Sequence, residues 1–441
     1  MKKMSSRILS SALSLLLVAL LVIQAPSVAA CSSVELESSE GDPYWFRTCD
    51  MDDSYNVFGE NGSYIESSYL VSYPAGVPID FTLGEVVPDH TVVGMSFSNS
   101  LAMLDGVNDA GLICGLLHFD EGTQIPVEEI PEDGRPLAAM EAVTWFLAQC
   151  ANVEEVRALA EETYVNAAYV EGVLGSDYAA TLHLSFVDAE GNCIVLEADD
   201  PERPGRFSVY ESNGVMTNSP TYPEQLELLN QYVANSPELR SQGITELEME
   251  NVISKGEATA DQVLPASYAS RDRFVHLSVL RYLADGGNKI SNKDMLVQGN
   301  YIINGVRALN DNGKGAYYYD HVDENGEVQG ASPCYTQYVV CYDSARRSVA
   351  IQPYDSTVWT TLSVEEVPTD ARATYEIHRG PEGSTISALS VGAQPEAENP
   401  PATEDAPAAS TTNVWMYGAI ALGVVVVILA VLLVRKKNTD A

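Results

Sequence analysis

Three residues have types and spacing that suggest chemistry: Cys31, Arg47 and Asp50, with Cys31 directly after the stretch "PSVAA". If the chain is cut after Ala30, Cys31 carries a free α-amine, whose reference pKa near 8 leaves much of it basic close to neutrality. A thiol is a strong nucleophile only as the thiolate, and an amine on the same residue can take its proton. Asp50 could hold that amine in place and Arg47 could stabilise the thiolate. The chemistry implied is acyl transfer onto sulfur.

A hairpin has to bring these residues together. "CSSVELE" reads as a strand with Val34 and Leu36 on its apolar side, "SSEGDP" holds turn residues, and "YWFRTCD" reads as the second strand. With the turn centred between Glu40 and Gly41, paired positions sum to 81 and Cys31 lies opposite Asp50. Residues 47 and 50 then have opposite parity, so a bulge or a strand end is required for both to reach one thiol. Two plainer readings compete. Arg47 and Asp50 could form a strand salt bridge, which stabilises an exposed pair by only about 0–1 kcal/mol. "VAAC" also loosely fits a lipid-attachment site, but lipidation blocks both the sulfur and the amine, and the chain carries another candidate anchor.

The termini frame a membrane-tethered, exported protein. Lys2, Lys3 and Arg7, then "LSLLLVALLVI", then "PSVAA" form the three-part pattern of a signal peptide over residues 1–30. Val414 to Val434 is a run of 21 uncharged residues, which at ~1.5 Å each matches a hydrocarbon core of ~30 Å. Trp415 and Tyr417 suit the outer interface, and Arg435, Lys436 and Lys437 suit a cytoplasmic tail over 435–441. Between body and span, residues 377–413 read as a stalk rich in Pro, Ala and acid. The expected folded body is 31–376, placed outside the cell.

With 62 acidic against 24 basic residues and a net charge of -38, nucleic acid is an unsuitable partner, since phosphate binding needs a cationic face. The seven cysteines are odd in number, which in an extracellular protein flags a free or intermolecular thiol, the others being buried thiols or disulfides. No CxxC, HxxxH or HxH spacing supports a metal site. Hairpins are expected from "TLHLSFV" with "CIVLEA" and from "YTQYVVCY" with "SVAIQPY". Helices are expected in "PLAAMEAVTWFLAQC", in "NVEEVRALAEET" capped by Asn152, and in "SRDRFVHLSVLRYLADGG" with a glycine stop. "GAYYYDHV" reads either as strand or as the rim of a substrate pocket. Strands and helices interspersed without βαβ alternation indicate an α+β layered domain with antiparallel sheets.

Cys31 followed by Arg47 and Asp50 in an R-x-x-D unit, "VNDAGLICGLLHF", "GVMTNSPTYPEQ" and "ASRDRFVH", in that order, resemble the choloylglycine hydrolase family of N-terminal nucleophile hydrolases, which includes bile salt hydrolases and penicillin V acylases. The resemblance runs from Cys31 to about Tyr354. It implies a four-layer αββα sandwich and an amidase that needs no cofactor. It implies Cys31 as nucleophile with its α-amine as base, Arg47 and Asp50 as support, Asn218 as oxyanion donor and Arg273 in the charged network, with Arg271 as the fallback. His118 departs from the pattern: bile salt hydrolases carry Asn there and penicillin V acylases Tyr, so it is either a core histidine or an oxyanion or specificity residue. Cys49 beside Asp50 is a further departure, open to oxidation toward Cys31, while His183 reads as core.

The expectation is therefore an extracellular, membrane-anchored cysteine amidase. Its substrate would be a small-molecule N-acyl amide such as a conjugated bile acid or penicillin V, and the family's habit suggests a homo-oligomer. The rivals are a catalytically silent lipoprotein-like binding module of the same fold and a dipeptidase with an N-terminal cysteine.

Overall fold

The computed structural model describes residues 31–52, 69–96, 100–166, 182–235, 264–265, 267–309, 317–322, 328–354, 356–378 and 385–391. The expected leader, the expected membrane span and the part of the expected stalk from residue 392 onward lie outside them. Among the described residues no helix is long and apolar enough to cross a membrane.

The chain begins with a hairpin, β1 (Ser32–Glu37) and β2 (Pro43–Asp52), then runs through β3 (Tyr69–Tyr73), β4 (Ile79–Phe81), β5 (Gly84–Val86), β6 (Val92–Ser96), β7 (Met103–Asn108) and β8 (Ile113–His118). After β9 (Arg135–Ala138) come helices α1 (Ala142–Gln149) and α2 (Val153–Glu162), followed by β10 (Thr163–Asn166), β11 (Leu182–Val187), β12 (Cys193–Glu197), β13 (Ser208–Glu211) and β14 (Val215–Met216). Helices α3 (Tyr222–Asn235), α4 (Ser270–Leu283) and α5 (Asn292–Ile303) precede β15 (Tyr317–Val322), β16 (Val328–Asp343), β17 (Ser348–Pro353), β18 (Thr360–Ser363), β19 (Ala373–His378) and β20 (Thr385–Val391).

Two large antiparallel sheets face each other. One has the order β14-β1-β2-β16-β17-β18 with β15 added on β16; the other runs β13-β12-β11-β8-β7-β6-β3-β19-β20. Helices α4 and α5 pack on β1 and β2, and α1 packs on β7 and β8, which gives the helix–sheet–sheet–helix layering of an α+β domain. Central strands are covered on both faces, so β6, β7 and β8 are buried along their whole length rather than alternately. Between the sheets, Trp45 of β2 lies against Gly115 of β8: a Cβ there would come within 2.1 Å of the indole ring.

Asn152 caps α2, its side chain accepting from Glu155 N at 3.0 Å, as its sequence indicates. Both expected hairpins form, as β11–β12 and β16–β17. "GAYYYDHV" contributes strand β15. Two expectations are corrected. "PLAA" opens with a strand, because β9 pairs in parallel with β10, and the α-helix begins only at Ala142, after a 3-10 turn over Ala139–Glu141. The body also passes the boundary set at 376: β20 pairs with β19 at Ile377 and Ile386 and covers what would otherwise be an open sheet edge.

Candidate active site

The first hairpin sets the geometry. Ser38 N donates to Asp42 O and Gly41 N to Ser38 O, both at 2.9 Å, with Gly41 at φ +87°. This three-residue loop, with glycine in the left-handed region, has an odd count, so paired positions sum to 80: Ser32 faces Thr48 and Ser33 faces Arg47. The expected sum of 81 is one residue out. A one-residue shift exchanges faces, and the same register carried one step further sets Cys31 level with Cys49 rather than Asp50. Cys31, Ser33, Arg47 and Cys49 thus share a face, and the parity difficulty with Arg47 disappears. A bulge does exist, on the neighbouring strand: Asp50 pairs with Thr336 and Cys49 with Tyr338, leaving Gln337 unmatched between them.

Around the Cys31 sulfur the donors converge. Arg47 Nη2 lies 3.2 Å from Cys31 Sγ and 3.9 Å from Cys49 Sγ. The Cys31 thiol is held well below its usual value by a hydrogen bond from Cys49, by the charge and donor of Arg47, and by the backbone N–H of Asp50, all working against burial. Burial pushes Cys49 well up, and its Cys31 neighbour adds to that. Of the two thiols, Cys31 therefore gives up its proton the more readily.

Asp50 Oδ1 accepts from Thr336 Oγ1 at 2.6 Å. Its Oδ2 is buried and has no hydrogen-bond partner among the described residues. Burial, and after it the Cys31 sulfur, raises this carboxyl to about 7, with Arg273 and Thr336 pulling the other way.

Arg273, fully inside from α4, donates through Nη1 to Cys31 O at 2.6 Å and to Ser32 Oγ, and through Nη2 to Asn218 Oδ1 at 2.9 Å. This fixes which way round the Asn218 amide lies. Its Nδ2 gives one hydrogen to His118 O at 2.9 Å, leaving the second N–H for another acceptor. The loop is pinned from behind: Ser270 Oγ accepts from Asn218 N at 2.9 Å, and Gln225 Nε2 donates to Asn218 O at 2.6 Å. Arg271 is exposed, so the fallback is not the residue that reaches inward.

The structure therefore brings Cys31, Arg47, Asp50, Asn218 and Arg273 into one connected group. His118 joins it through its backbone carbonyl, while its ring Nε2 lies 2.8 Å from Asp120 Oδ1. His183 is core, as expected, but its Nε2 also lies 2.7 Å from Thr217 O, next to Asn218.

Sequence reading missed Asp105. This buried carboxylate crosses from the second sheet to meet Arg47 Nη1 at 2.6 Å, and it accepts from Tyr338 at 2.8 Å and Tyr342 at 2.5 Å. Its only local signal is an acid inside the otherwise buried run "AMLDGV". None of the seven cysteines is joined in a disulfide; six of them are buried and Cys193 is half-buried.

Residues 31–366 match the family of linear amide C–N hydrolases, choloylglycine hydrolase family. A bile salt hydrolase/transferase of Clostridium perfringens is 27% identical over 257 residues, covering 57% of this chain and 71% of that protein. A penicillin V acylase of Pectobacterium atrosepticum is 29% identical over 235 residues, covering 52% of this chain and 59% of that one. Among solved structures, a variant of conjugated bile acid hydrolase from Clostridium perfringens superposes with a TM-score of 0.59 at 20% identity, covering 82% of this chain and 100% of that one. Penicillin V acylase from Agrobacterium tumefaciens gives 0.55 at 18% identity, with 80% and 92% covered. These two structural likenesses bear on the fold.

Proposed function

Since the chain belongs to the choloylglycine hydrolase family of linear amide C–N hydrolases, we propose that it cleaves a non-peptide amide through an acyl-thioester on Cys31 once the leader is removed after Ala30. The observation that carries this reading is the pair of polar groups beside Cys31. One is a guanidinium 3.2 Å from the sulfur; the other is a buried carboxylate oxygen of Asp50 that lacks a partner among the described residues. An α-ammonium on residue 31 would supply that partner, and the deprotonated amine would be the base.

The amine takes the thiol proton and the sulfur attacks the amide carbon. The resulting oxyanion takes the free N–H of Asn218, a contact of the kind that contributes roughly 3 kcal/mol to the transition state. The protonated amine returns its proton to the departing nitrogen, and the C–N bond breaks. Water, deprotonated by the same amine, then attacks the thioester; the acid leaves and the Cys31 sulfur recovers its proton. Arg273 holds the Cys31 carbonyl and the Asn218 amide in register throughout.

Conjugated bile acids, penicillin V and related N-acyl amides are the substrates proposed, by likeness to the proteins named above. Residues 414–434 are proposed to anchor the enzyme with its body outside the cell, on the strength of the uncharged run and the three cations after it. The test is a panel of such amides given to the full chain and to Cys31→Ser, together with mass spectrometry of the processed N-terminus. Hydrolysis lost in Cys31→Ser, with processed material beginning at residue 31, supports the reading. A diacylglyceryl group on Cys31, or cleavage of dipeptides alone, overturns it.

A further inference from the structure

We propose that Cys31 and Cys49 form a reversible disulfide under peroxide, so that Cys49 acts as a resolving thiol which switches the nucleophile off and shields it from irreversible oxidation. Its functional meaning rests on Cys31 being the nucleophile; the bond itself does not.

The hairpin register is the first argument. Carried one residue beyond Ser32 and Thr48, it opposes Cys31 to Cys49 across an antiparallel pair. Directly opposed Cα atoms there lie roughly 4.5–5.5 Å apart, within the range of about 4.4–6.8 Å that a disulfide spans. The second argument is that both sulfurs lie against one guanidinium nitrogen, at 3.2 and 3.9 Å, so they share a face and a single cation. That cation favours the thiolate as attacking group and, on reduction, as leaving group.

The step balances with peroxide as oxidant. The Cys31 thiolate attacks one peroxide oxygen, the O–O bond breaks, and the other oxygen leaves as hydroxide and is protonated to water. Cys31 is then a sulfenic acid. The Cys49 sulfur attacks it, the S–O bond breaks, and the second oxygen departs with the Cys49 proton as another water. Two thiols have lost two electrons, and a dithiol restores them by exchange. Without a resolving thiol, the sulfenic acid proceeds to sulfinic acid, which a dithiol cannot reverse.

The experiment treats the full-length protein with hydrogen peroxide, blocks free thiols, and maps unreduced peptides by mass. After digestion with trypsin and a protease that cuts before Asp, the expected result is the peptide carrying Cys31 and ending at Gly41 linked to Thr48–Cys49 and lighter by two hydrogens, with Cys31 alkylation fully recovered after dithiothreitol. In Cys49→Ala, Cys31 should accumulate sulfinic acid and recovery should be lost. Cys49→Ser, closer in size and polarity, gives the same readout if the alanine variant does not fold. Sulfinic acid at Cys31 of the wild type without the linked peptide, a link to another cysteine, or full recovery in either variant overturns the proposal. If the untreated protein cleaves no amide, the hydrolase reading fails, while the linked peptide still decides this one.

Discussion

Arg47 divides its guanidinium between two sheets: Nη2 lies 3.2 Å from Cys31 Sγ, and Nη1 lies 2.6 Å from Asp105 Oδ2. The same cation that ties the layers together therefore sits on the candidate nucleophile. Cys31 should react with iodoacetamide at neutral and mildly acidic pH, where an ordinary thiol is largely protonated. Cys49→Ala removes the leading hydrogen bond to that sulfur, and Arg47→Lys weakens the next contributions. Both should move the midpoint of the alkylation rate to higher pH, as read from peptide masses across a pH series. An unmoved midpoint in both would contradict the assignment of the low thiol to these two neighbours.

Asn218→Ala should lower turnover of a cleaved amide about a hundredfold or more with little change in KM, because the oxyanion contact is made mainly in the transition state. Part of the loss can be indirect, since Arg273 Nη2 also loses its acceptor. Steady-state kinetics beside unfolding curves separate the two. A drop in kcat with an unchanged midpoint marks the lost donor, whereas a shifted midpoint marks a displaced Arg273.

What the sequence made legible follows from how local each signal is. Cys31, Arg47 and Asp50 sit on one hairpin, so their spacing alone linked them; Asn218 and Arg273 were reached only through motif likeness, because loop and helix meet across 55 positions. The register came out one residue wrong because Glu40–Gly41 reads as a two-residue turn centre, whereas Gly41 at φ +87° closes a three-residue loop. Asp105 was invisible for another reason. Its meaning comes from the face of a different sheet, where Arg47, Tyr338 and Tyr342 converge, and no local pattern reports a contact of that range. Strand β20 was hidden by its neighbourhood, because its sequence runs straight into the Pro-, Ala- and acid-rich residues read as a stalk.

Asp105→Ala should be strongly destabilising. It leaves Arg47 charged and buried without the carboxylate that Nη1 meets, and breaking a buried pair in this way costs roughly 3–5 kcal/mol. Two tyrosine hydroxyls lose their acceptor as well. Urea unfolding at neutral pH should show a midpoint well below that of the wild type. An unchanged midpoint would mean that water or rearranged donors replace the carboxylate, and that the sheets do not depend on this clamp.

Glu141 gives a stability test away from the sulfur. Its carboxylate is buried, accepts from Thr82 Oγ1 at 2.8 Å and from Thr82 N at 3.1 Å, and is raised by burial to about 7. In the unfolded chain the same group releases its proton near the ordinary glutamate value of 4.5. Between those two values the folded state binds more protons than the unfolded one, so stability falls as pH rises. The contribution is fully present below about 4.5 and is lost as pH passes through about 7. Glu141→Gln carries no such proton, so its unfolding free energy relative to wild type should rise between pH 5 and pH 8. Denaturation series at those two pH values decide it: a difference that stays constant, or runs the other way, means that Glu141 is ionised in the folded protein across this range.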